Sequence, residues 1–395
     1  LIGLSGLPGS AIIIGAGLGG LTAGLSLLRA GWRVEICEQS LRLGEAGAGI
    51  SVSSGAGKGL ESLGVGPELL AASTPAPNVA FVHYQTGERL AGEFHDGAPP
   101  DLGFATPRHI HRADLHAILL KAVLKCDSSA VRVGKTLNTI DQNSDRAVAR
   151  FVDGDHAAGD VIVAADGLRS TARGQLFGEQ APTFAGQIAF RCLVPADVAA
   201  PFLHQGNAVV SVGDGRIFHR YLIRGGKLVN VIGIARSDHW RGEGWNTPSS
   251  TEEFRDAFRG FHADVADLIA RTPPDTLIKW ALFQRPPIPC WSIGRVTLLG
   301  DAAHPILPFL GLGAALAIED GVVIGRVLDR ALDVPTRLKA FQAARAERVE
   351  RVRLDTIRQG EIIQGLDPDG SEVSRSPSQD VTLYDYDPTT VPIDV

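Results

Sequence analysis

The sequence contains no methionine in 395 residues and only four cysteines. Cys37, Cys126, Cys192 and Cys290 stand far apart, without a CxxC pair or a metal-like spacing. That pattern excludes a cysteine-built metal centre and a disulfide framework, and it reads as structural thiols in a reducing cytosol. Strong basic character is also missing: the formal net charge is −6, so no electrostatic footprint exists for nucleic acid or for an anionic membrane surface. A basic segment followed by a cleavage site is not apparent, and neither are internal repeats or heptads. The expectation is a cytoplasmic protein, monomer or homodimer, with no membrane or nucleic-acid partner and no metal. A chain of this length ordinarily carries several methionines, so intact mass is the check on single leucines such as Leu312 and Leu316.

What is present begins with 44% hydrophobic residues, enough for a large core and two domains. From Ala11 to Leu28 there are 18 residues without a charge, a length that allows a membrane span. Five glycines within it argue otherwise. "AIII" (Ala11 to Ile14) suits a buried parallel strand, Gly15-x-Gly17-x-x-Gly20 follows at once, and "LTAGLSLLRAG" continues as a helix. "RVEICE" then reads as a second strand ending in Glu38. This is the dinucleotide fingerprint in its required context. The glycines permit a tight turn and close backbone approach, the helix N-terminus faces a pyrophosphate, and Glu38 bonds ribose hydroxyls. An acid at that point suits an unphosphorylated ribose and disfavours NADP there.

Two later segments repeat the arrangement. "DVIVAADG" (Asp160 to Gly167) ends a strand in Asp166-Gly167, and "RVTLLGDAAHP" (Arg295 to Pro305) ends one in Gly300-Asp301. Ligands of an open parallel sheet gather beyond the carboxyl ends of its strands, so three such ends can converge on one extended cofactor. Each Asp-Gly pair alone is more often a turn.

With these motifs, and with "GEAGAGI" (Gly44 to Ile50), "HRADLHAIL" (His111 to Leu119), "AADGLRSTAR" (Ala164 to Arg173) and "GDAAHPILPFLGLGAALAIEDG" (Gly300 to Gly321), the chain resembles the single-component FAD-dependent aromatic hydroxylases of the para-hydroxybenzoate hydroxylase class. The likeness is to the branch acting on salicylate, 3-hydroxybenzoate and 6-hydroxynicotinate, and "LYDYDP" near the C-terminus resembles its closing motif. The resemblance implies an α/β fold. A Rossmann-like FAD-binding domain with a parallel sheet (residues 11–75, 101–175 and 290–330) is interrupted by a mixed β-sheet substrate domain (76–100 and 176–289). A C-terminal helix (331–365) and a tail (366–395) follow.

It further implies non-covalent FAD, reduced by NADH or NADPH with NADH the expected donor. O2 then hydroxylates a small aromatic acid through a flavin C4a-hydroperoxide. Cofactor contacts are expected from Gly15, Gly17, Gly20, Glu38, Arg42, Arg112, Asp166, Asp301, Pro308, Gly311, Gly313 and Ala314. Glu38 would hold the adenosine ribose, Arg112 the phosphates and Asp301 the ribityl chain or pyrophosphate. Arg112 also reads as a surface residue starting an amphipathic helix. The helix "AALAIEDGVVIGRVL" would aim its N-terminus at the flavin pyrimidine and stabilise negative charge on the reduced ring. Glu319 and Asp320 read as structural.

In the substrate domain "NAVVSV", "RIFHRYLI" and "KLVNVIGIA" read as strands, and Ile217, His219 and Tyr221 alternate onto one face. His219 and Tyr221 are the candidate catalytic pair, although a sheet histidine is often only half-buried structure. Three departures stand out: relatives carry His where Ile217 stands, Gln where Leu312 stands, and "PNA" in place of "SGA" (Ser54 to Ala56). They leave open a flavoprotein monooxygenase of larger metabolites and a degenerate FAD scaffold without turnover. The C-terminal part reads as a helix from about Thr336 to Gln364 with a solvated charged face, such as Glu347 with Arg351, and then a polar linker, "GLDPDGSEVSRSPSQD".

Overall fold

A computed structural model of the chain describes residues 9–44, 48–76, 79–92, 101–240 and 247–394. Residues 45–47 of "GEAGAGI", and 77–78 and 93–100 of the expected substrate domain, lie outside the described residues.

The β-branched run at the start forms the strand Ser10–Ile14, fully buried from Ala11 onward. It lies in the middle of a six-stranded sheet, between Arg33–Glu38 and Val161–Ala164, and Val296–Leu298 pairs beyond the latter. These strands are parallel, and Ile14, Ala164 and Leu298 lie side by side at their carboxyl ends. The three Gly/Asp-rich strand ends therefore open on one edge, as their order in the sequence predicts. The charge-free stretch divides into this strand and the 12-residue helix Leu18–Arg29, and among the described residues no helix is long and apolar enough to cross a membrane.

The helix Gly313–Leu328 packs against Leu18–Arg29 at backbone-contact distance. A Cβ on Gly321 would come 2.7 Å from Cβ of Thr22, and one on Gly325 would come 2.0 Å from Oγ of Ser26. Nearer the start, Gly19 faces Ala317 in the same way. The contacts advance together along both helices, so the two run parallel, with both N-termini at the strand-end edge.

An eight-stranded mixed sheet forms the second layer, ordered Thr247–Pro248, Ile278–Gln284, Thr183–Pro195, Leu228–Arg236, Arg216–Ile223, Ala208–Gly213, Ala80–His83 and Arg89–Ala91. One face is sealed by an aromatic core in which Phe190 stacks on Phe254 and Phe218 packs on Phe258. The other face carries Ile217, Ile234 and Trp280 against Leu307 and Phe309. A small sheet of Gly49–Val52, Arg108–His111 and Thr74–Pro75 touches this layer, since a Cβ on Gly49 would meet Tyr221 and Asn230.

The C-terminal helix spans Val334–Ile363, capped by Asp333 accepting from the Thr336 N–H. Its charged face differs from the expectation in two ways. Arg345 and Arg348 are buried, and Arg351 pairs with Asp380 at 2.7 Å and Asp355 at 3.7 Å rather than with Glu347. The polar segment after it is not an open linker: it forms the helix Gly370–Ser374, anchors Val373 in the core and turns again at Pro377–Gln379. All four cysteines are free thiols, with Cys37 and Cys192 buried.

Candidate active site

The glycine turn shows why each of its positions is needed. Gly15 adopts φ +100°, donates to the Cys37 carbonyl at 2.8 Å, and leaves only 2.5 Å between an added Cβ and the Ala165 carbonyl. A Cβ on Gly20 would fall 2.0 Å from the Gly15 carbonyl, whereas one on Gly17 would meet nothing within 4 Å. Gly15 and Gly20 thus close the turn, and Gly17 faces open space. No side chain caps the helix Leu18–Arg29 at Gly17 and no acid lies in its first turn, so its N–H groups and positive end are available to an anion. Glu38 closes the cradle from the neighbouring strand, accepting from the N–H of Ala16 at 2.8 Å and of Ser40 at 2.9 Å. The residues present fit a dinucleotide.

The third strand end is held from behind. Gly300, at φ +61°, donates its N–H to Asp320 Oδ2 at 2.9 Å, and His304 Nε2 lies 2.7 Å from the same oxygen. Asp320 Oδ1 accepts from Arg345 Nε at 2.7 Å, and Glu319 accepts from Arg345 and Arg348. Burial alone would raise the Asp320 carboxyl, but His304 and Arg345 hold it down at about 2. Glu319 and Asp320 are therefore fully buried anchors of the turn that presents Asp301. Asp301 itself remains solvent-exposed at the strand-end edge. The surrounding protein pushes its carboxyl above the usual range, against the opposing charges of His304 and Arg112.

Asp166 does something the sequence did not indicate. Its carboxylate accepts from Ser170 Oγ at 2.6 Å and the Ala172 N–H at 3.1 Å, holding the start of the helix Thr171–Phe177. That helix carries Arg173, whose buried guanidinium donates to the carbonyls of Ala303 at 3.1 Å and Pro286 at 2.7 Å. The second strand end thereby braces the third. Arg112 begins the helix Arg112–Cys126, its N–H donating to the Ala48 carbonyl at 2.7 Å. Arg42 stands exposed, away from any ion pair with a described residue. Pro308 is exposed, and Gly311 at φ +66° turns the chain into the helix Gly313–Leu328. That helix also lacks a capping side chain and a first-turn acid, and a Cβ on Gly313 would meet only Ile306 at 3.8 Å. Leu312 is buried beneath the turn.

The roof follows from strand register, because directly opposed residues share a face. Trp280, Ala189, Ile234 and Ile217 form one row; Arg191, Ile232 and His219 the next; Leu193, Asn230 and Tyr221 a third. His219 and Tyr221 lie together, ring centroids 4.7 Å apart, and His109 joins them 4.0 Å from Tyr221. His109 comes from the small sheet and was not a sequence candidate. Burial holds both imidazoles neutral, with pKa values near 3, helped at His109 by His219 and at His219 by Arg220. Burial likewise raises the Tyr221 phenol, with Arg191 opposing. Nε2 of His219 is buried without a hydrogen-bond partner.

The "SGA" departure has a physical counterpart. Ser54 Oγ donates to the Tyr384 carbonyl at 2.8 Å, and a Cβ on Gly55 would fall 1.6 Å from the Tyr386 carbonyl. The C-terminal "LYDYDP" segment docks on this helix start, with the Tyr386 ring 4.7 Å from the Arg345 guanidinium.

Comparison with known proteins agrees with this geometry. The FAD binding domain family matches residues 9–355. The 6-hydroxynicotinate 3-monooxygenase of Pseudomonas fluorescens is 35% identical over 347 residues, covering 86% of this chain and 88% of that protein. The 3-hydroxybenzoate 6-hydroxylase 1 of Aquipseudomonas alcaligenes is 33% identical over 348 residues, covering 87% and 86%. Among solved structures, Klebsiella pneumoniae HpxO complexed with FAD and uric acid superposes with a TM-score of 0.80 at 26% identity, covering 96% of this chain and 93% of that one. The chain belongs to the FAD binding domain family and is an FAD-dependent monooxygenase.

Proposed function

We propose that the protein uses NAD(P)H and O2 to hydroxylate a small hydroxylated aromatic or heteroaromatic acid. One oxygen atom enters the ring, the other leaves as water, and NAD(P)H is oxidised. The observation that carries this reading is the neutral His109–His219–Tyr221 cluster on a sheet face opposite the Asp301–Gly313 segment. The relatives' substrates, 6-hydroxynicotinate and 3-hydroxybenzoate, support the substrate class, and their turnover favours an enzyme over a degenerate scaffold.

FAD, when bound, supplies the redox chemistry and the activated oxygen. Gly15, Gly17 and Gly20 would admit its pyrophosphate, Glu38 and Arg112 its adenosine half, and Asp301 its ribityl chain. Pro308, Gly311, Gly313 and Ala314 would line the ring end, where the unopposed N–H groups of Gly313–Leu328 favour negative charge. Asp166 acts one step behind, through Arg173. Arg42 would reach only the outer, solvent-facing edge.

The roof then positions the ring and excludes water. Neutral His219 can accept a hydrogen bond from a substrate hydroxyl at Nε2, polarising the O–H and enriching the ring, and Tyr221 helps to orient that oxygen. Screening salicylate, 3-hydroxybenzoate and 6-hydroxynicotinate for accelerated NADH or NADPH loss, with product mass, tests the assignment. At least one should accelerate consumption and gain one oxygen. No acceleration by any hydroxylated aromatic acid would reject it.

A further inference from the structure

Arg191 lies on the strand Thr183–Pro195 directly across from Ile232, which faces His219 in turn. All three side chains therefore stand in one row of the roof. Its guanidinium carbon sits 4.7 Å from the Trp280 ring centroid. Nε is buried without a hydrogen bond, and no carboxylate of the described residues lies within ion-pair distance of the side chain. Its neighbours add no negative charge: His219 and His109 are neutral, Tyr221 keeps its proton, and Arg112 contributes further positive potential. Buried charges are normally paired, and an uncompensated one is costly. A planar guanidinium stacked on an aromatic ring keeps its in-plane N–H fork free, the geometry that takes a carboxylate bidentately.

We infer that Arg191 is the carboxylate handle of the substrate, seated on Trp280, with the aromatic ring running along the row toward His219 and Tyr221. Two strand spacings separate Arg191 from His219, about 10 Å between backbones. An aromatic acid hydrogen-bonded at its carboxylate and at its ring hydroxyl spans such a gap. Neither Arg191 nor Trp280 was marked by the sequence, because only the pairing of distant strands brings them beside His219.

The inference rests on the aromatic-acid reading, and equilibrium binding separates the two. FAD-loaded protein without NAD(P)H is titrated with acid and amide pairs: 3-hydroxybenzoate against 3-hydroxybenzamide, salicylate against salicylamide, and 6-hydroxynicotinate against its amide. Wild type should prefer an acid on the order of 100-fold, the scale for a buried charge pair. Arg191→Gln should abolish that preference while leaving amide affinity within about threefold. Arg191→Lys keeps the charge but loses the fork, and should lower the preference about tenfold. Equal binding of acid and amide by wild type overturns the inference, as does a full acid preference in folded Arg191→Lys. Hydroxylation of acids and amides alike would leave the proposed function standing and remove this role. Arg191-dependent acid binding without any hydroxylation would do the reverse.

Discussion

His304 and Asp320 meet at 2.7 Å, both buried, and the same Asp320 oxygen holds the Gly300 N–H. This contact fixes the turn carrying Asp301 to the helix that starts at Gly313. Arg345 completes it from the C-terminal helix. Asp320→Asn leaves Arg345 with less compensating charge in a dry site, and should destabilise the protein by about 3–5 kcal/mol, the cost of breaking a buried pair. Thermal unfolding checks this. Because the folded Asp320 pKa is depressed to about 2 from an ordinary 3.8, its contribution is complete above pH 4 and fades as pH falls toward 2. The stability gap between wild type and Asp320→Asn should narrow over that window.

Asp301→Ala should weaken FAD on the order of 10- to 100-fold, the range for a hydrogen bond to a charged group, without a comparable loss of folding stability. Gly17→Ala should also fold normally, since its Cβ meets nothing within 4 Å, yet bind FAD more weakly. Fluorescence titration with FAD beside thermal unfolding of the apoprotein reads both. Wild-type affinity in Asp301→Ala would mean the third strand end does not touch the cofactor.

His219→Ala and Tyr221→Phe should slow hydroxylation or divert reducing equivalents to peroxide, with FAD content unchanged. Product and peroxide yields per NADH measure this. The buried imidazoles also set a pH dependence of stability. Each has a folded pKa near 3 against an ordinary 6.5, so the native state is favoured above pH 6.5 and loses that advantage as pH falls toward 3. The double variant His109→Gln/His219→Gln should show a shallower loss of stability over the same range.

Gly55→Ala should destabilise by about 1–3 kcal/mol, the cost of overpacking, because its Cβ lands 1.6 Å from a backbone oxygen of the docked tail. Limited proteolysis should then cut within residues 380–394 faster than in wild type. An unchanged cleavage rate would contradict tail docking at Ser54–Ala56.

The cofactor end of the molecule was legible because its chemistry is local. Gly15 to Gly20, Glu38 and Asp301 each sit at the end of an apolar run, and short sequence spacing alone places them at strand ends. Ile217, His219 and Tyr221 were legible for the same reason, through alternation on one strand. His109, Arg191 and Trp280 were not, because they reach the roof from three separate strands and only register unites them. The C-terminal helix reads as carrying a solvated charged face, since nothing local reveals that Asp320 and Glu319 wait for Arg345 and Arg348, 25 and 29 residues away in sequence. Asp166 was placed at the cofactor by strand position, while its carboxylate is committed to Ser170 and Ala172.

Oxygen labelling tests the monooxygenase assignment most directly. FAD-loaded protein is given NADH or NADPH, a hydroxylated aromatic acid that stimulates its oxidation, and 18O2. One atom of 18O should appear in the ring-hydroxylated product for each NAD(P)H consumed in coupled turnover, and none should come from labelled water in the reciprocal experiment. Product oxygen derived from water, or NAD(P)H oxidation that yields only peroxide with every such acid, would contradict ring hydroxylation at this site.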